Sequence, residues 1–82
     1  METWKIDVRW KTDTEKDRFE VTINDSTVID TGPKVFKNEL EETGQYRGRS
    51  VRLRVRRSTV YLGENFEALV YVDKELAAAT KF

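Results

Sequence analysis

Arg47-Gly48-Arg49-Ser50-Val51-Arg52-Leu53-Arg54-Val55-Arg56-Arg57 is the stretch that decides how this 82-residue chain folds. Side chains on an extended strand point alternately to its two faces. Val51, Leu53 and Val55 therefore share one face, and Arg52, Arg54 and Arg56 share the other. Alternation of apolar and charged residues predicts a strand buried on one side, as in antiparallel sheet. The stretch also holds six of the eight arginines, the one concentrated charge in the chain.

The same period recurs on either side. Trp4, Ile6, Val8 and Trp10 alternate with Lys5, Asp7, Arg9 and Lys11, which predicts a half-buried strand. Its two tryptophans are expected to anchor the core, each burying on the order of 200 Å². Thr12 to Asp17 reads as a charged turn. Phe19, Val21 and Ile23 then form the inward face of a second strand. Asn24-Asp25-Ser26 supplies turn residues, and Thr27-Val28-Ile29 returns, so residues 18–30 read as a hairpin.

Thr31-Gly32-Pro33 breaks the pattern, and Lys34 to Thr43 is ambiguous. Pro33 and Gly44 sit where a helix would start and stop. However, Lys34 and Lys37 would then lie at the positive end of the helix dipole, and Glu39, Glu41 and Glu42 at the negative end. An irregular strand or hairpin arm is the better expectation. Ser58 to Asn65 connects onward, with Val60, Tyr61 and Leu62 as candidates to extend the pairing. Phe66, Ala68, Val70 and Val72 share a face of the next strand, with Leu69 and Tyr71 on the other. Asp73-Lys74-Glu75 turns the chain. Leu76 to Thr80 returns as an alanine-rich arm, for which helix is an alternative, although it is short for an isolated one. Val21 to Asp25 lines up with Val70 to Lys74 as a weak internal repeat.

These elements predict a single all-β domain over residues 1–82, a small antiparallel β-sandwich of about six to eight short strands, with a small β-barrel as the alternative. Composition agrees: 38% hydrophobic residues are enough for a core, and 37% charged residues make the surface polar. No apolar run approaches the roughly 18–20 residues of a membrane span. There is no cysteine, and the N-terminal residues do not read as a signal peptide, so the expectation is a soluble cytoplasmic domain.

The order of the pieces resembles one lobe of the Fas apoptosis inhibitory molecule family. In that family a strand opening with tryptophan precedes a hairpin of the V-Y-V-D-G-K kind, an M-F-K…E-T…Y-x-G stretch, a valine-rich strand and a second such hairpin. The corresponding stretches here are Trp4 to Trp10, Val21 to Val28, Val35-Phe36-Lys37 with Glu42 to Gly48, Val51 to Val55, and Phe66 to Leu76. The hairpin glycine is absent, with Asp25 and Lys74 near that point, and one lobe is present. The resemblance implies a β-sandwich and a non-enzymatic interaction protein.

Catalytic chemistry has little to work with. The chain has no histidine, the usual general base near neutral pH, and no cysteine nucleophile. Glu39, Glu41 and Glu42 cluster, as do Asp13, Glu15 and Asp17, but both groups lie in polar segments that suit solvated carboxylates. The second group resembles the start of a calcium loop, without the glycine and closing glutamate that such a loop needs. Asn24-Asp25-Ser26 matches a glycosylation acceptor, for which turn chemistry is the simpler reading. No enzyme, metal or cofactor is expected.

What remains is surface. Net charge is zero, although residues 1–46 carry 7 basic and 11 acidic side chains and residues 47–82 carry 8 and 4. The expected function is a protein-interaction module acting through an edge strand, an apolar patch at Leu69 and Tyr71, and the arginine face. The alternative is a nucleic-acid-binding domain using Arg47, Arg49, Arg52, Arg54, Arg56 and Arg57, with Tyr46, Tyr61 or Tyr71 stacking on bases. Against it, pairing of 50–57 with 66–73 would set Arg56 opposite Glu67 and Arg52 opposite Tyr71, a balanced solvated face. A homodimer through an edge strand, or a phage or archaeal accessory protein that blocks a host factor, are further expectations.

Overall fold

The computed structural model describes residues 3–82 except Phe36, Lys37, Tyr61 and Leu62. Among them are seven strands and no helix: β1 (Ile6–Asp13), β2 (Lys16–Ile23), β3 (Ser26–Asp30), β4 (Glu39–Tyr46), β5 (Arg49–Val60), β6 (Gly63–Val72) and β7 (Glu75–Lys81). They form two antiparallel sheets, β1-β2-β3 and β4-β5-β6-β7, which stay separate rather than closing into a barrel.

Chain reversal relies on tight turns. Thr14-Glu15, Asn24-Asp25, Arg47-Gly48 and Asp73-Lys74 all have positive φ at both residues. That is the geometry of two-residue hairpins, whose twist matches that of the flanking strands. The expected turn at 12–17 is thus only two residues long, because β1 and β2 pair as far as Asp13↔Lys16. The expected link at 58–65 is mostly strand, pairing up to Val60↔Gly63. Tyr61 and Leu62 lie outside the described residues.

The segment from Lys34 to Thr43 resolves into an isolated bridge and the start of β4. Asp17 and Lys34 exchange two backbone hydrogen bonds of 2.9 Å. β4 begins at Glu39, so the strand expectation holds there; Phe36 and Lys37 lie outside the described residues. The alanine-rich arm is strand, since β6 offers it a ladder to pair with and a lone seven-residue helix would have none.

The core lies between the sheets. Phe19, Val21 and Ile23 of β2, Val51, Leu53 and Val55 of β5, and Ala68 and Val70 of β6 have no exposed surface. These are the inward faces that the alternation indicated. Trp4 and Trp10 pack against the core, Trp10 at 5.2 Å from Phe66, and keep part of their surface open, Trp10 on the edge strand β1 and Trp4 just before it. The aromatic anchor is Phe19, 5.5 Å from Phe66 and 6.2 Å from Phe82 between ring centroids.

The two halves of the chain share a construction. In the β2–β3 hairpin the register shifts between Val21 and Thr22; in the β6–β7 hairpin it shifts between Val70 and Tyr71. Both shifts fall at the same distance from the turn. Asn24, opening the first turn, donates its N–H to Lys5 O (2.8 Å) and accepts the Lys5 N–H on its side-chain Oδ1 (3.0 Å). Asp73 does the same with Ser50, at 3.0 and 3.2 Å. The weak repeat in the sequence is therefore a repeat of three-stranded units, β1-β2-β3 and β5-β6-β7.

Candidate functional site

The arginine stripe lies on the outer face of the four-stranded sheet. Pairing places Arg52 opposite Tyr71 and Arg56 opposite Glu67, as the simple hairpin required. On the other side, β4 brings glutamates to the same face. Arg54 is bonded to Glu39, and Arg52 lies 3.8 Å from Glu41. The Arg52 guanidinium also sits 4.9 Å above the Tyr71 ring. Cations on one strand are thus flanked by carboxylates and an aromatic face on its neighbours.

A matching pair holds the outer face of the other sheet. Arg18 Nε donates to Asp30 Oδ1 at 3.0 Å, and its Nη2 to Oδ2. The Arg18 hydrogen bonds, helped by the Gly32 N–H, hold the Asp30 carboxyl below its usual 3.8. Arg54 holds Glu39 below its usual 4.5 in the same way. A carboxyl lowered on folding contributes stability that is fully present above its unfolded pKa and is lost as pH falls through the folded one. Thermal unfolding followed by circular dichroism should therefore show a midpoint that is flat from pH 7 to about 5 and falls below about 4. Asp30→Asn should shrink the acid-side fall; an unchanged fall would mean that this pair is not formed in solution.

The stripe residues do not act together. Arg57 points away from Arg52, Arg54 and Arg56, to the inner side, where its guanidinium lies 5.0 Å from the Phe66 ring centroid and 3.9 Å from Asp17. Asp17 is buried and accepts the Trp10 indole N–H at 2.9 Å. That cluster ties β1, β2, β5 and β6 together at one end of the sandwich. At the other end, Arg47 lies over Tyr46 (5.3 Å), and Arg49 lies over Trp4 (5.8 Å) and pairs with Asp73 at 3.7 Å. Leu69 and Tyr71 are half-buried on the outer face, beside Ala79 and Leu76 of β7.

A pocket of about 420 Å³ opens at the Arg47–Arg49 end. Trp4 and Ile6 line one wall, Val72, Glu75, Leu76 and Ala77 the other, and Arg47 and Arg49 complete the lining. It lies between the two edge strands β1 and β7. Leu76 is 57% exposed there, although it is large and apolar. Ile6 was legible as a strand residue, Trp4 was expected in the same strand but precedes it, and the arm of Leu76 was open to helix; nothing in their spacing indicated a shared cavity. Of the residues expected to form a site, the pocket includes Arg47 and Arg49; Arg52, Arg54, Arg56, Leu69 and Tyr71 stand on the outer sheet face.

Other chemistry finds no arrangement among the described residues. No three acidic, histidine or cysteine side chains are grouped to hold a metal ion. No helix is long and apolar enough to cross a membrane. Tyr46 packs edge-on against Trp4 at 5.0 Å, and Tyr61 lies outside the described residues. Compared with protein-family models, curated proteins and solved structures, the chain matches none.

Proposed function

We propose that this chain is a non-catalytic protein-interaction domain that takes an extended segment of a partner polypeptide along its open side, between β1 and β7. The observation that carries the reading is the pocket itself: a cavity with apolar walls of Trp4, Ile6, Val72 and exposed Leu76 and a charged rim, bordered by strands whose outer edges have no neighbour among the described residues. Strand addition supplies main-chain hydrogen bonds for affinity, and a pocket beside the new strand reads its side chains. The pocket's charges are mixed, Arg47 and Arg49 with Glu75, and Arg49 already pairs with Asp73, so apolar contact and main-chain hydrogen bonds carry the recognition. The resemblance to the Fas apoptosis inhibitory molecule family, with its non-enzymatic interaction proteins, points the same way.

The arginine face is less suited to nucleic acid. Arg52 and Arg54 already meet Glu41 and Glu39, so a phosphate backbone along the stripe would compete with those carboxylates and be repelled by them.

Panning a library of random decapeptides against the purified domain tests the proposal, with affinities measured by fluorescence anisotropy. Selected peptides are expected to bind, and Leu76→Asp to weaken them more than about tenfold without moving the unfolding midpoint, since the side chain is already exposed. A library that yields no binder would sink the reading. So would tight binding of labelled DNA or RNA with a salt slope that Arg52→Ala/Arg54→Ala/Arg56→Ala lowers by about 2–3.

A further inference from the structure

The repeat of the two three-stranded units carries one step further, resting on the interaction reading above. β5 has a partner on each side, β6 and β4. Its counterpart β1 has β2 on one side and, among the described residues, no strand on the other. We infer that the free edge of β1 is a vacant strand position, filled by an extended acidic segment of a partner chain in the way that β4 fills the edge of β5.

The register defines the vacancy. Ile6↔Ile23 in the first unit corresponds to Val51↔Val72 in the second, so Ile6, Val8 and Trp10 correspond to Val51, Leu53 and Val55. In β5 those three residues pair with Gly44, Glu42 and Leu40 of β4. Lys5 is bonded toward β2 through Asn24, and hydrogen-bonding direction alternates along a strand. Ile6, Val8 and Trp10 therefore turn their backbone N–H and C=O groups to the open edge. Their side chains are half-buried, whereas those of Val51, Leu53 and Val55 have no exposed surface. A strand on β1 would close that difference.

The pocket lies where the repeat puts the missing strand. Gly44 of β4 packs so closely on β3 that an added Cβ would lie 2.7 Å from the Val28 carbonyl oxygen. Val28 corresponds to Ala77 in the β6–β7 hairpin, being the extra residue at the same register shift. The residue that β4 sets opposite Val51 would thus have a counterpart opposite Ile6 and against Ala77. Both of those residues line the cavity.

Charge selects the occupant. The outer row of β1 is Asp7, Arg9, Lys11 and Asp13, with Lys5 just before the strand, and its two cations stand side by side at Arg9 and Lys11. Arg9 and Lys11 correspond to Arg54 and Arg56, which face Glu41 and Glu39 across the β4–β5 ladder. An acidic strand would give Arg9 and Lys11 the carboxylates that Arg54 and Arg56 receive from β4. The segment that fits has outward carboxylates opposite Arg9 and Lys11 and a residue without bulk opposite Ile6.

β4 itself is the natural probe. A synthetic peptide of residues 38–47 is titrated into the isotopically labelled 82-residue chain and followed by amide NMR and hydrogen exchange. The expected result is shifts and slowed exchange at the Ile6, Val8 and Trp10 amides. A peptide carrying Gly44→Val should bind at least about tenfold more weakly, a difference of one decade in Kd. One carrying Glu39→Lys and Glu41→Lys should lose binding and its salt sensitivity. Unshifted Ile6, Val8 and Trp10 amides at millimolar peptide overturn the inference. If library-selected peptides bind but protect Ala79 and Lys81 of β7, the interaction reading stands and the β1 assignment fails. If the chain alone is dimeric with those three amides protected, the occupant is a second copy and the partner assignment is wrong.

Discussion

Phe19→Ala is expected to cost about 3–5 kcal/mol, the usual range for emptying a fully buried aromatic site. Phe19 lies on β2, the central strand of the smaller sheet, and none of its surface is exposed. Its ring meets Phe66 from the larger sheet and Phe82 at the chain's end. Removing it opens a cavity between the two sheets, beside the Trp10 ring that also meets Phe66 and Phe82. A domain of this size has a total stability of only about 5 kcal/mol or somewhat more, so the variant should be largely unfolded near 37 °C. Urea unfolding followed by circular dichroism gives the number. A loss under about 1 kcal/mol would mean that the sheets do not meet through this ring.

Gly44→Ala should reverse the usual sign of its substitution. Within a strand, alanine for glycine ordinarily stabilises by roughly 0.5–1 kcal/mol, because the unfolded chain loses less entropy. Here the new Cβ would sit 2.7 Å from the Val28 carbonyl oxygen and 3.0 Å from Ile29 Cγ1. A backbone oxygen in a paired strand cannot rotate away, so β4 must draw back from β3. The cost should be about 1–3 kcal/mol, as for other overpacked sites. Thr43→Ala, one residue away on the exposed face, should change stability by less than about 0.5 kcal/mol and serves as the control. If Gly44→Ala is neutral or stabilising, the close crossing of β3 and β4 is not present in solution, and the argument from that crossing to a vacant position beside β1 weakens with it.

Why some elements were legible and others not follows from particular residues. β2, β5 and β6 alternate cleanly because the middle of each inner face is apolar: Phe19, Val21 and Ile23, then Val51, Leu53 and Val55, then Phe66, Ala68 and Val70. β4 does not. Its inward row is Leu40, Glu42, Gly44 and Tyr46, all half-buried, and only two of the four are large and apolar. A glutamate is tolerated there because β4 is an edge strand and its inner face is only partly covered. The same cause leaves part of the tryptophans open: they pack on the core as their residue type suggested, but Trp10 stands on an edge strand and Trp4 just before it. The arginine stripe was legible as a strand face. Its pairing with Tyr71 and Glu67 followed from hairpin register, but the contribution of Glu39 and Glu41 required β4 to be placed beside it.

The all-β class, the inward faces of the central strands and the hairpins at Asn24-Asp25 and Asp73-Lys74 followed from residue alternation and from turn chemistry within a few residues, whereas the reversal at Arg47-Gly48 lay inside what read as one strand. Which strands became edges, how the second half repeats the bonding of the first, and where an apolar pocket opens between Trp4 and Leu76 were decided only by the tertiary structure. Those properties belong to neighbours distant in the chain. A strand's own residues specify which face it buries, and only the other strands specify whether anything lies beside it.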